Sequence, residues 1–326
     1  MPTRLHGFRV RLRVCVFAEG LAVPAARGLH FLYDVEPMFR RKRFRLQLRS
    51  RLLILGERTL IMGVLNVTPD SFSDGGAYLD TETAIARALK LEQDGADIVD
   101  IGGESTRPGA VPPPVEEEQR RILPVIEGLR GKLRIPISVD TRRAAAAEAA
   151  LAAGAEMIND VSGLRTDPRL AEIARRARAP LIVMHMRGTP QTMQRKPFAR
   201  DVLRDVTSSL RASVALARRA GLAKSRLLLD PGIGFGKSHE QNFEILARLS
   251  ELARLGYPIV VGTSRKAFLG KALARPGEPA APPENRLLGT AATVTASILG
   301  GAHIVRVHDV AEMARVARVA DRLMQS

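Results

Sequence analysis

The sequence predicts a parallel (β/α)8 TIM barrel of the α/β class, and three observations carry that expectation. Short apolar runs recur at 60–67, 96–101, 135–139, 156–158, 181–185, 226–229, 258–262 and 303–307. Amphipathic stretches rich in Ala, Leu and Arg fill the intervals, at 81–93, 116–129, 142–152, 169–177, 201–220, 240–254, 284–299 and 310–324. Every apolar run ends in a polar or ionisable residue. Continuous apolar runs mark strands covered on both faces. Eight strand–helix units match the roughly 250 residues such a barrel takes, and its enzymes display their chemistry at the strand C-termini. An open doubly wound sheet is the alternative; it usually has fewer strands and a Gly-rich first turn opening a helix, which is absent here.

The elements follow in chain order. Residues 1–37 show no sustained helical or strand period, and we expect a disordered basic extension, with Met38 as a natural beginning for a barrel domain over 38–326. The apolar piece at 14–18 is broken by Glu19, too soon for a secretory signal, and the segment is poor in Ser for an organelle-targeting one. Residues 40–55 alternate charged and apolar side chains, the pattern of a short hairpin, which we place across the bottom of the barrel. The stretch 61–76 then runs from a buried strand through Asn66 into a loop of Asp, Ser and Gly. Helix starts are signalled by Asp167-Pro168, by the capping box Ser238…Gln241, and by its acidic equivalent Asp309…Glu312. Gly95, Gly154, Gly221 and Gly256 stand where helices need a C-terminal glycine.

Composition removes several classes of function. The formal charge of +16 is concentrated: residues 1–51 hold 12 Lys+Arg and 3 acids, a net of +9, which leaves 16 − 9 = +7 for the rest. Without aromatic interleaving, a zinc finger or a helix-turn-helix pattern, this basicity does not describe a nucleic-acid binder. A mildly basic body suits a pocket for a phosphorylated ligand. No apolar run approaches the 18 or more residues of a membrane helix, so no membrane partner is expected. Cys15 stands alone, which rules out an internal disulfide and suits a reducing, cytoplasmic compartment.

Reading the strand ends in order gives Asn66, Asp100, Asp140, Asn159-Asp160, His185, Asp230, Ser264-Arg265-Lys266 and Arg306 with His308. Decoration of all eight units is evidence for an enzyme, because a structural barrel would leave most of these positions small or apolar. Arg306, His308 and Asn66 come from the last and first units, which become neighbours on closure. Barrel phosphates are frequently held by the final loops, where Arg306 and His308 offer donors. Asn66 is a neutral oxygen ligand suited to one position on a Mg²⁺ that keeps waters and bridges phosphates. Asp140, Asn159 and Asp230, with Lys266 opposite, offer acceptors and donors for a 2-amino-4-oxo heterocycle, whose amidine-like edge gives two parallel N–H bonds to one carboxylate. His185, inside Met184-His185-Met186, is expected in the core and not in catalysis.

Taken together, the stretches 61–76, 100–109, 138–141, 158–160, 184–194, 230–237, 262–266 and 306–309 resemble the dihydropteroate synthase family of folate biosynthesis, and they occur in family order. The resemblance implies condensation of p-aminobenzoate with 6-hydroxymethyl-7,8-dihydropterin pyrophosphate, giving 7,8-dihydropteroate and pyrophosphate with Mg²⁺ as cofactor. It implies that Asp140, Asn159, Asp230 and Lys266 hold the pterin, that Arg306 stacks on it, and that Arg306 and His308 take the pyrophosphate. Asp140, Lys266 and Arg306 would be the catalytic residues. Asn66 would bind the metal, Thr106 would contact the substrate phosphates, and Arg107 would be a further substrate-binding residue. Phe72 and Pro108 would line the p-aminobenzoate pocket, under closing loops at 68–76 and 105–109. Ala267 stands where some members carry a serine for the benzoate carboxylate, and N–H groups at a helix start could substitute. Members are commonly homodimers. The competing readings are a pterin-binding methyltransferase acting on a corrinoid partner and a non-catalytic basic scaffold.

Overall fold

The computed structural model describes residues 41–68, 77–105, 109–193 and 199–325, all within the compact unit Pro37–Ser326. The chain opens with an antiparallel hairpin, β1 (Phe44–Gln47) and β2 (Leu52–Leu55), in which Phe44 faces Leu55 and Gln47 faces Leu52. The barrel follows as β3 (Leu60–Asn66), β4 (Ile98–Gly102), β5 (Ile137–Asp140), β6 (Met157–Asp160), β7 (Leu181–Met184), β8 (Leu227–Asp230), β9 (Val260–Val261) and β10 (Ile304–Val307). All are parallel, ordered β8-β7-β6-β5-β4-β3-β10-β9, and a bridge between Leu229 and Ile259 joins the two ends of that order.

The helices lie outside: α1 (Ala77–Gln93), α2 (Val115–Leu129), α3 (Ala144–Ala153), α4 (Leu170–Arg176), α5 (Val202–Arg219), α6 (His239–Ala247), α7 (Leu249–Ala253), α8 (Ala267–Leu273), α9 (Leu287–Leu299) and α10 (Val310–Gln325). The single helix expected over 240–254 is two. The chain leaves helical geometry at Arg248 (φ −114°, ψ 21°), whose guanidinium pairs with Glu244 before the break and Glu251 after it. The short helix α8 is absent from the expected amphipathic stretches; it begins just after Lys266. The capping box is half made: Ser238 Oγ accepts the Gln241 N–H at 3.2 Å, but the Gln241 side chain reaches Ala199 instead of turning back. Gly95, Gly154, Gly221 and Gly256 all take positive φ, as helix-ending glycines do.

Strand side chains alternate with period two, and the alternation sorts the barrel into two cores. Ile61, Val99, Ile101, Val139, Ile158, Val183, Leu229 and Val305 face outward into the large core beneath the helices. Leu60, Met62, Ile98, Met157, Ile182, Leu228, Val260 and Ile304 face inward and pack against Leu46, Leu48 and Leu55 of the hairpin. The hairpin therefore plugs the bottom of the barrel as its alternating sequence predicts, and the inward layer above this plug is where the polar residues stand.

Candidate active site

One pleat above four of the inward-facing strand residues is a site residue. Ile98 leads to Asp100, Met157 to Asn159, Leu228 to Asp230 and Ile304 to Arg306, each two positions on and hence on the same inward face. Asp140 shares the inward parity of β5, because Ile137 and Val139 face the helices. Asn66 stands four residues beyond Met62 at the rim of β3. The sequence-predicted residues Asn66, Asp140, Asn159, Asp230 and Arg306 therefore meet at one mouth, with Lys266 and His308 on the loops just beyond.

At the centre, Arg306 spans two carboxylates. Its Nε donates to Asp100 Oδ2 at 2.6 Å, and its Nη2 donates to Asp140 Oδ2 at 2.8 Å. Asn159 Nδ2 donates to the same Asp100 oxygen at 2.9 Å. Asp100 is fully buried, and its Oδ1 has no partner among the described residues. Two acids around one guanidinium leave an excess of negative charge. Burial pushes the Asp140 carboxyl up to about 8; Arg306 opposes the shift, and Asp100, Glu104 and Glu118 add to it. For Arg306, burial works against its charge, but Asp100 and Asp140 outweigh it and raise its pKa. Asp100 stands among the strand-end residues legible in the sequence but has no role assigned there; an acid inside an otherwise apolar strand, at the inward parity, is the signal that marks it.

On the far side, Asp230 Oδ1 accepts the Gly232 N–H at 2.6 Å. Burial raises the Asp230 pKa, against the pull of Lys266 and that N–H. Lys266 donates to the Ile233 carbonyl and lies 4.3 Å from the centroid of the Phe235 ring. Burial lowers its pKa to about 8, with Asp230 opposing. The loop 231–237 is thus a platform between the acid and the ammonium. His308 shares Ser264 Oγ through both its backbone N–H (3.1 Å) and its Nδ1 (3.0 Å). Burial, with Arg306 and Arg265 nearby, holds the imidazole neutral with a pKa near 3, so it offers hydrogen bonds without charge.

His185 is in the core, as expected, bonded to Lys237 and Asp205. Arg142 meets Glu104 through Nη2 (2.7 Å) and Nε (3.2 Å), tying the root of the loop after β4 to the loop after β5. Phe72, Thr106, Arg107 and Pro108, and the greater part of the two loops expected to close, lie outside the described residues. Among the described residues no group of three or more acidic, His or Cys side chains is placed to hold a metal.

A barrel whose mouth gathers three acids, two amides, a lysine and an arginine has the polar lining of an enzyme's active site. The match to known proteins narrows the class: residues 62–308 fit the model of the pterin binding enzymes. The chain belongs to this family. It is 50% identical over 268 residues to a dihydropteroate synthase of Synechocystis sp., covering 82% of this chain and 91% of that protein. A dihydropteroate synthase of Xanthomonas albilineans solved with 4-aminobenzoic acid superposes with a TM-score of 0.79 at 43% identity, over 87% of this chain and 100% of that one. Another structure of the Xanthomonas albilineans enzyme, in complex with 7,8-dihydropteroate, gives 0.76 at 41% identity, over 86% and 99%.

Proposed function

We infer that this chain is a dihydropteroate synthase, joining p-aminobenzoate to 6-hydroxymethyl-7,8-dihydropterin pyrophosphate with release of pyrophosphate. The observation that carries the reading is the convergence of Asp140, Asn159, Asp230, Lys266 and Arg306 on one mouth, in a chain half identical to a relative of that name. The alternative, a methyltransferase serving a corrinoid partner, is not favoured: the relatives of Synechocystis sp., Bacillus subtilis and Escherichia coli bear the name dihydropteroate synthase.

In this reading Asp230 and Asn159 take the amino-oxo edge of the pterin, where a carboxylate accepts two N–H bonds and an amide supplies both donor and acceptor. Lys266 faces the ring from the opposite side. Arg306 is held by Asp100 and Asp140, and its planar cation would stack on the ring. Arg306 and the neutral His308 supply donors to the pyrophosphate, with Thr106 assigned to the same phosphates, Arg107 to the substrate, and Phe72 and Pro108 to the aniline ring. Asn66 fits a metal of one kind. Its carboxamide makes no hydrogen bond to another described residue, and among the described residues no group of three or more acidic, His or Cys side chains is placed to cage an ion. Such a lone oxygen suits Mg²⁺, which draws its other ligands from phosphates and water and would neutralise charge on the leaving group.

The reaction breaks the bond between the pterin methylene carbon and the pyrophosphate oxygen, forms the carbon–nitrogen bond to the arylamine, and releases one amine proton. No protein nucleophile is needed. Arg306 and His308 would stabilise the departing anion, and positioning of the ring and exclusion of water would supply the rest. The protein would act in the cytoplasm as a homodimer; Leu288 of α9 and Val319 of α10, 78% and 64% exposed, support a partner on that side. Incubating the full chain with pterin pyrophosphate and Mg²⁺, and assaying pyrophosphate with and without p-aminobenzoate, tests the activity. Amine-dependent release together with dihydropteroate is the expected result; no product under these conditions would refute the assignment.

A further inference from the structure

We propose that Lys237 is a positioning residue for the pterin grip, holding the loop 231–237 so that Asp230 and Lys266 face the ring at the right separation. The inference rests on the pterin reading above, but its grounds are geometric. An ammonium has three N–H donors and no acceptor. Three acceptors lie close to Lys237 Nζ, His185 Nδ1 at 2.8 Å, the Gly232 carbonyl at 2.7 Å and the Phe235 carbonyl at 3.1 Å, and the His185 carbonyl is a fourth, more distant one at 3.4 Å. The side chain is 3% exposed, so these groups replace the water it has lost. Two of them belong to the loop itself, and His185 roots it in the end of β7. His185 is in turn oriented by Asp205 Oδ2, 3.2 Å from its Nε2, and Asp205 pairs with Arg187 at 2.8 Å.

The backbone shows why a donor side chain belongs there. The loop lies flat on the chain after β7: a Cβ at Gly232 would run into the His185 carbonyl, and one at Gly236 into the Arg187 carbonyl. Both glycines have φ +66°, a conformation other residues rarely adopt. Two closely stacked segments bring carbonyl oxygens together, and the N–H donors of Lys237 among them offset their mutual repulsion. Burial, with Lys266 nearby, pushes the Lys237 pKa well below its ordinary value, against the pull of Asp230 and Asp205, so the donors and not the charge hold the loop. Above this anchor the loop makes its contacts with the site. Gly232 N–H bonds Asp230, the Ile233 carbonyl accepts from Lys266, and the Phe235 ring lies beneath the Lys266 ammonium. Gly234 N–H is fixed separately, by Asn242 Oδ1 of α6 at 2.6 Å. Lys237 reaches none of the ring-binding groups directly, so it acts through the loop.

Calorimetric titration of the full chain with 6-hydroxymethyl-7,8-dihydropterin pyrophosphate tests this. Wild-type protein that fails to bind would overturn the pterin reading itself, a result separate from any variant. Given wild-type binding, Lys237→Met is expected to raise Kd by about tenfold or more, and Lys237→Gln, which keeps two N–H donors, by less. Circular dichroism and a melting temperature well above that of the assay establish that each variant is folded; if Lys237→Met is not, Lys237→Gln decides alone, with a rise of about threefold expected. Because the effect passes through Asp230, the substitution should cost less than about threefold on an Asp230→Asn background, a non-additivity that general loosening of the barrel would not produce. An unchanged Kd in folded Lys237→Met, an unchanged Kd in Lys237→Gln where it alone folds, or a loss repeated in full on the Asp230→Asn background would each overturn the proposal.

Discussion

Arg306 shows how one side chain can be committed twice. Its Nε and Nη2 are bonded to Asp100 and Asp140, and in the proposed reaction its charge would also serve the pyrophosphate. We therefore expect Arg306→Ala to abolish turnover while leaving Asp100 and Asp140 facing each other without a cation; steady-state pyrophosphate release checks this, and wild-type kinetics would contradict the role. Asp140 allows a test by pH. Its folded pKa, raised to about 8 by burial, exceeds the ordinary carboxylate value near 4. Between those values the native state binds more protons than the unfolded one, so this group's contribution to stability falls as pH rises. The melting temperature of wild type minus that of Asp140→Asn should therefore fall between pH 5 and pH 8. A difference flat across that window would mean that the carboxyl is already ionised at its lower end. Residue types were readable in the sequence where they end an apolar run, as at Asp140, Asn159 and Asp230. Asp100 and Lys237 were not given roles, because their partners lie 206 and 52 positions away and only the closed barrel brings them together.

The elements themselves were more legible, since they depend on local pattern. All eight strand–helix units stand where the apolar rhythm puts them, with shifts of a residue or two at many ends. The largest differences came where local pattern carries little information. The break at Arg248 falls inside a stretch that reads as continuously helical, and Gln241 leaves its capping role for a long-range bond to Ala199. The hairpin offers a test at this scale. Leu46 is fully buried and seals the inward layer with Met62, Met157 and Leu228. Leu46→Ala should destabilise the protein by about 2–5 kcal/mol, the range for deleting a buried leucine side chain. Chemical denaturation measures it, and a loss below about 1 kcal/mol would mean that the hairpin covers the barrel without sealing it.

For the whole molecule, charge and function separate along the chain. The first 51 residues carry more than half of the net positive charge, whereas every site residue assigned above lies beyond residue 60. Deleting residues 1–37 should leave kcat/KM for both substrates within about twofold of the full chain, since the pattern of small effects away from a site applies; lost activity in a folded truncation would instead favour a working role for the basic arm. The central claim is that acids and a lysine from separate strands form a single grip for one flat ring, and Asp230→Asn tests it most directly. Calorimetry with the pterin pyrophosphate should show binding weakened by about ten- to a hundredfold, the loss of a charge-assisted hydrogen-bond pair. Wild-type affinity in that variant would contradict the account.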